Sequence, residues 1–406
     1  MENTKTDTFY TKSKTFQVGI ISDTQLPTTK RHRQKDDRFV RHLLTALQTF
    51  KNMGVDMILF AGDIGDGGTK YAFKTYAEAF DTVYGSEKPI VQTIMGNHDH
   101  WSPSLFLHTN HVRAFEKIVG VPMRTHYKVN GFHFIGASPD SGSMTTGYAK
   151  TVDWIDKHLK IAQADSNGKP IFLLTHQQPL DTCYGSDDWG EKNLGRILEK
   201  YPNVVNISGH SHYSILDERS VWQGAYTVLS TQSLSYIELE AGKENGTIPP
   251  HADETPMGYC LDFTADSFTF RRIAFDGSLL GREEKTDRRW TFPLPYVNDC
   301  RYSFSRRRQA NRAPTMPETA GTAIYKDGNA VLTFQAGTDD DFVHTYKVVA
   351  DGQKPLYFFS DFYNGLDGMQ KTVSLEVKAP KHGCVYKIYA VDSWGAESEN
   401  CTEIKI

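Results

Sequence analysis

Cysteine is scarce in this chain of 406 residues. The five present, Cys183, Cys260, Cys300, Cys384 and Cys401, are odd in number and include no CxxC pair. That excludes a disulfide-stapled fold and a thiolate zinc site, and points to reduced thiols in a cytosolic protein. Cys384 with Cys401, on neighbouring strands near the C-terminus, is the one pairing left open. No apolar run approaches the ~20 residues of a membrane span. Met1 to Phe16 is polar and charged, without the apolar centre of a signal peptide. A cytoplasmic location is therefore expected, and an extracytoplasmic one only if a leader has been removed. A basic excess is missing too: 45 Lys and Arg stand against 49 Asp and Glu, a formal net charge of -4. A general nucleic-acid binder, or a protein held on anionic membranes, would carry the opposite balance.

The chain exceeds what one hydrophobic core commonly organises, so two domains are expected. Phe16 to Ser22 is a short β-rich run. Asp37 to Met53 places Phe39, Val40, Leu43, Leu44, Leu47 and Phe50 at helical spacing, and Met57 to Ala61 is a continuous apolar run of strand length. Tyr71 to Val83 is helix-like again, and Ile90 to Met95 strand-like. Apolar strands without alternation are those buried on both faces, so this β-α-β-α-β order indicates a layered α/β domain. The pattern recurs with a strand at Phe132 to Gly136, a helix at Thr151 to Ala164, and strands at Ile171 to Thr175 and Val204 to Ser208. Two later strands, Gly258 to Phe263 and Ser267 to Phe275, are expected to complete the second sheet.

Five clusters of oxygen and nitrogen donors fall where these strands end. They are Asp23-Thr24-Gln25, Gly62-Asp63-Ile64-Gly65-Asp66, Gly96-Asn97-His98-Asp99, His176 and Gly209-His210-Ser211-His212. The C-terminal ends of strands are where α/β proteins gather ligands. Each cluster alone reads equally well as a turn. All five in this order, each on a strand exit, do not arise readily by accident. Two of them are too acidic to sit bare in a pocket, and a pair of divalent cations would neutralise them.

In these motifs the chain resembles the calcineurin-like metallophosphoesterases, whose pattern is D-x-H, G-D-x-x-D, G-N-H-D/E, H and G-H-x-H. The resemblance implies a four-layer α/β/β/α sandwich over residues 1–300. It implies one metal site formed by Asp23, Gln25, Asp63 and His212, and a second by Asp63, Asn97, His176 and His210, with Asp63 bridging two divalent ions. The reaction it implies is in-line attack of metal-activated hydroxide on a phosphoester. His98 becomes the catalytic residue that stabilises charge or donates a proton, with Asp99 holding its imidazole and Asp66 a supporting or turn residue. Gln25 departs from the pattern, which has His there. An amide oxygen is a harder, weaker ligand than imidazole, so Mn²⁺ or Fe²⁺ is favoured, with Mg²⁺ or Zn²⁺ as alternates.

The substrate is expected to be a small phosphodiester of nucleotide type, because His98 can assist a poor leaving group. A nucleotide diphosphatase or phosphomonoesterase is the alternative, and from another class, a binding or adhesion protein with a degenerate metal centre. Trp101, beside His100, reads either as a stacking surface or as packing. The loop Asp181 to Asn193 can shape specificity. Arg31, His32 and Arg33 read as phosphate contacts or as a solvated helix start.

Residues 301–313, with Arg306-Arg307-Arg308 and Pro314 just beyond, read as a solvated linker. From 314 to 406, strands at Ala330 to Gln335, Thr345 to Val349, Leu356 to Phe359, Thr372 to Val377 and Val385 to Val391 are separated by Asp- and Gly-rich turns. This is expected to be an all-β sandwich that resembles fibronectin type III or Ig-like modules. Such modules bind a protein partner, self-associate or cover a neighbour, and fold does not choose among these.

Overall fold

The computed structural model describes residues 5–12, 16–102, 110–275, 282–283, 289–364, 369–378 and 383–405. They fall into two compact units. The first unit, Met1–Ile215, Ser220–Ile237 and Asp253–Ser303, is an α/β fold with two mixed seven-stranded sheets. In one sheet Gln17–Ile21, Met57–Phe60 and Ile90–Thr93 run parallel. In the other Phe132–Ala137, Ile171–Leu174, Val204–Ser208 and Thr227–Ser230 run parallel. Met57, Ile58, Leu59 and Phe60 are buried on both faces, which is why that strand reads as an unbroken apolar run.

Met257–Phe263 and Ser267–Ala274 extend the sheet of Gln17–Ile21, with Tyr259 opposite Ile20. The expectation that they complete the second sheet is corrected in this respect: the other sheet is built from the parallel strands named above. Phe132 and Phe172 of one sheet meet Phe263 and Phe268 of the other, with ring centroids 4.4 Å apart for Phe132–Phe263 and 5.6 Å for Phe172–Phe268. Each such pair contributes roughly 0.5–1.5 kcal/mol beyond the area it buries. The helix Arg38–Met53 buries Val40, Leu43, Leu47 and Phe50 on one stripe and ends at Gly54 in a left-handed turn. Its Phe50 lies over Gly19, where a Cβ would come within 2.7 Å of the ring, so only glycine allows helix and strand this close.

A chain of buried histidines crosses the second sheet. His126 Nε2 lies 2.9 Å from His133 Nδ1, and His126 Nδ1 lies 2.9 Å from His158 Nδ1. Burial lowers His133 and takes His126 down to about 3, aided by the neighbouring imidazoles. The unfolded chain, with histidine near ~6.5, therefore takes up the protons first. The stability this cluster contributes is complete above pH ~6.5 and is lost as pH falls from there toward the folded value. Thermal unfolding should show a melting temperature that drops between pH 6.5 and 4. His126→Gln should flatten that slope, and an unchanged slope would count against the assignment.

The second unit is β-rich and consists of Leu216–Arg219, Glu238–Ala252 and Phe304–Ile406. A three-stranded sheet (Thr322–Lys326, Asn329–Gln335, Thr372–Lys378) and a four-stranded sheet (Leu356–Phe359, Thr345–Ala350, Val385–Val391, Thr402–Lys405) are both antiparallel. Leu332, Phe334, Tyr346, Val348, Leu375 and Ile388 form its core. The segment Glu238–Ala252 is stitched to the four-stranded sheet. Asn245 accepts from Phe359 N at 2.8 Å and donates to Phe359 O at 3.3 Å, and Glu244 N donates to Tyr357 O at 2.8 Å.

The stretch expected to be a linker holds the helix Phe304–Ala310. Arg307 is not a solvated charge: its guanidinium lies 5.4 Å from the rings of Phe304 and Trp394 and bonds to the Glu218 carbonyl. All five cysteines are free. Ile388 pairs with Thr402 and Val385 with Lys405, so Cys384 and Cys401 lie several residues apart along the ladder, not face to face. Among the described residues no helix is long and apolar enough to cross a membrane.

Candidate metal centre

Every expected ligand lies in the first unit, just beyond the C-terminal end of a parallel strand. The turns that carry them lock to one another through main chain. Asp23 N donates to Gly62 O (2.9 Å), Gln25 N to Asp63 O (3.1 Å), and Gly209 N to His176 O (2.9 Å). Gly62, at φ +92°, and Gly96 meet backbone to backbone. A Cβ on Gly62 would lie 2.7 Å from His176 Nδ1 and 2.8 Å from Gly96 N. Asp23, Gln25, Asp63, His210 and His212 all have positive φ, between 41° and 73°. Left-handed backbone at non-glycine residues costs of order 1–3 kcal/mol each and collects at functional sites.

Asp63, His176 and His210 each bring a ligand atom within 4.8 Å of the others, and so do Asp23, Asp63 and His212. Asp63 is common to both groups. Asn97 Oδ1 is 2.9 Å from His176 Nε2, which lies 3.3 Å from Asp63 Oδ1. Gln25 Nε2 and Asp23 Oδ1 each lie 3.4 Å from His212 Nε2. A half-turn of the Gln25 amide would present its oxygen at that place. All seven side chains are buried, and Asp63 Oδ2 and His212 Nδ1 have no hydrogen-bond partner there. Buried polar atoms are rarely left unpaired unless a water or ion serves them. Acidic and imidazole donors arranged around one shared carboxylate fit a pair of divalent cations.

Electrostatics support that fit. Burial opposes ionisation of Asp63, but the charge and hydrogen bond of His176, with His98 and His210, hold its carboxyl below the usual range. Burial likewise disfavours a charged His176, yet Asp63 raises it to about 9. A cation bound by His176 would replace that proton. Burial and His176 push His210 down to about 3, leaving a neutral imidazole ready to ligate.

His98 stands beside these groups. Its backbone N donates to Asp63 Oδ1 at 2.9 Å, and its Nε2 lies 3.9 Å from Asp63 Oδ2. The expected Asp99–His98 pairing is corrected. Asp99 instead accepts from three backbone N–H groups, Ile64 and Gly65 at 3.1 Å and Gly96 at 2.9 Å, and so ties the second and third turns together. Burial and the Asp63 charge push its carboxyl to about 7 against those bonds. Asp66 is the carboxylate that faces His98 Nδ1, at 3.6 Å.

Residues 16–214 match the calcineurin-like phosphoesterase family model. They are a calcineurin-like phosphoesterase domain. The chain is a metal-dependent phosphoesterase, a hydrolase. No curated protein matches it. Among solved structures it is similar to a dimetal phosphatase from Danio rerio, with 13% identity, 64% of this chain and 96% of that one covered, and a TM-score of 0.42. A purple acid phosphatase from yellow lupin (Lupinus luteus) seeds has 15% identity, 70% and 54% coverage, and a TM-score of 0.42. GAP50, the anchor in the inner membrane complex of Plasmodium, has 14% identity, 66% and 88% coverage, and a TM-score of 0.43.

Around the phosphoesterase centre lie residues that carry no motif. The Tyr148 hydroxyl accepts from His176 N (2.7 Å) and donates to Ala137 O (2.9 Å), fixing that turn. Met144 presents its carbonyl 3.1 Å from His210 Nε2 and its sulfur 3.2 Å from Asn97 Nδ2. Tyr236 packs 4.6 Å from the His212 ring, and Trp189, within the expected specificity loop, lies 6.1 Å from His210. Only their place in the folded loops brings them here. His100 bonds to Pro139 O at 3.0 Å, a structural contact. Arg31, His32 and Arg33 stand on the helix Lys30–Lys35, none of whose residues is buried.

Proposed function

We propose that the chain is a two-metal phosphodiesterase acting on a small, nucleotide-type phosphodiester. Asp23, Gln25, Asp63 and His212 would hold one ion, and Asp63, Asn97, His176 and His210 the other. When bound, such ions neutralise the carboxylates, polarise a phosphoryl oxygen and lower the pKa of water to supply a nucleophile. The chain's own residues do the rest. His98 is fixed through its backbone on Asp63; its Nδ1 lies 3.6 Å from the Asp66 carboxylate, beyond a hydrogen bond, and its Nε2 lies on the side of the shared carboxylate. There it can donate a proton to the departing alkoxide, the step that limits diesters of poor leaving groups.

The Asp66–His98–Asp63 arrangement is the single observation that carries this reading. Gln25 in place of imidazole supports Mn²⁺ or Fe²⁺. The helices packed on the sheets support a four-layer α/β/β/α arrangement for the catalytic region. The paired antiparallel sheets support an Ig-like or fibronectin type III module at the C-terminus, with the free thiols favouring a cytoplasmic protein. Bis-p-nitrophenyl phosphate with Mn²⁺ tests the reaction. His98→Ala should lower turnover on the order of 10²-fold or more and deform the acidic limb of the pH–rate profile. Full activity in that variant would sink the role of His98.

A further inference from the structure

Three aromatic rings, each reaching solvent in part, face the histidines of the centre. Trp101 lies 4.0 Å from His98, Tyr236 4.6 Å from His212, and Trp189 6.1 Å from His210. Trp101 differs from the other two in being 37% exposed while its position is fully fixed. Its backbone N donates to His98 O and its carbonyl accepts from Gly68 N, both at 2.9 Å. Its indole Nε1 donates to Gly142 O at 2.9 Å. Position 142 must be glycine for that bond, since a Cβ there would come within 2.5 Å of the Trp101 ring.

Two of these bonds hold the main chain and the third holds the indole edge, so the ring's orientation is set while more than a third of the residue stays exposed. His98 packs against the ring at 4.0 Å between centroids. One imidazole separates it from the Asp63 carboxylate shared by the two ligand groups. That is the place for a flat group joined to a phosphoester through a sugar-sized spacer. Flat heterocycles stack on such a surface whatever their hydrogen-bonding edges, and a platform already fixed loses little freedom on binding.

We propose that Trp101 is a stacking platform for a nucleobase, and that the site takes phosphoesters of nucleosides in preference to those of plain sugars or alkyl alcohols. This rests on the phosphoesterase reading of the same centre. Adenosine 5′-monophosphate and ribose 5-phosphate share phosphate and sugar and differ only in the base. Calorimetric titration of each into the full chain with Mn²⁺ present should give at least about ten-fold tighter binding of the nucleotide. That ratio should fall toward one in Trp101→Ala, persist largely in Trp101→Phe, and shrink in Gly142→Ala, where the ring keeps its chemistry but loses its place. Equal affinities in the unaltered protein, no binding of either compound, or an unchanged ratio in Trp101→Ala would each overturn the proposal. Failure of the enzymatic reading looks different: bis-p-nitrophenyl phosphate would stay intact while base-dependent binding persisted.

Discussion

Asp63→Asn should abolish diester hydrolysis, by on the order of 10³-fold or more, and should reduce bound Mn²⁺ measured by elemental analysis. No other carboxylate is shared by both ligand groups, so one substitution weakens both. The change is nearly isosteric. An amide oxygen can still accept from His98 N, as Asp63 Oδ1 does at 2.9 Å, so the turn should survive. It also removes a charge buried to 1% exposure. In the absence of metal that charge is paired with the protonated His176, so the variant should melt somewhat lower than the unaltered protein, with His176 left to give up its proton. Loss of activity in a variant that still unfolds cooperatively would identify a functional defect. Wild-type turnover, or unchanged metal content, would remove Asp63 from the bridging role.

Ending the chain after Ser303 should give an aggregating product, not a free-standing enzyme. By sequence the first domain ends at 300, followed by a linker and a separate module from 314. In the structure Leu216–Arg219 and Glu238–Ala252 belong to the unit completed only by residues 304–406. Truncation would strip Asn245 and Glu244 of their main-chain partners on Phe359 and Tyr357. It would also leave Asp217 and Leu239, now 0% and 1% exposed, without the rest of their unit. Lost burial of this kind costs several kcal/mol, comparable with the ~5–15 kcal/mol that holds a domain together. Size-exclusion chromatography of the 1–303 product against the full chain is the check. A monodisperse, fully active fragment would show that the two segments tolerate solvent.

The candidate ligand turns are legible in the sequence because each is local: an apolar strand, then a tight turn with its donor. The same holds for the helix Arg38–Met53, whose stripe of Val40, Leu43, Leu47 and Phe50 is written at fixed spacing. The partner of His98 was not readable. Asp99 is its neighbour in the chain while Asp66 comes from a separate motif 32 residues earlier, and which one faces it depends on where the N–H groups of Ile64, Gly65 and Gly96 converge. Met144 and Tyr148 were invisible for the same reason, since neither belongs to a pattern. Short strands such as Thr402–Lys405 have no legible signal, because four residues carry too little alternation to stand out. The second unit's composite make-up has no local signature at all.

The five left-handed residues, spread over three turns, bear on the stability of the fold as well as its chemistry. Glycine fits such backbone freely, whereas Asp, Gln and His do so at a cost. Glycine at positions 23, 25, 63, 210 and 212 would relieve that cost and remove a donor each time. The strain is stability held back from the fold to keep those donors in place.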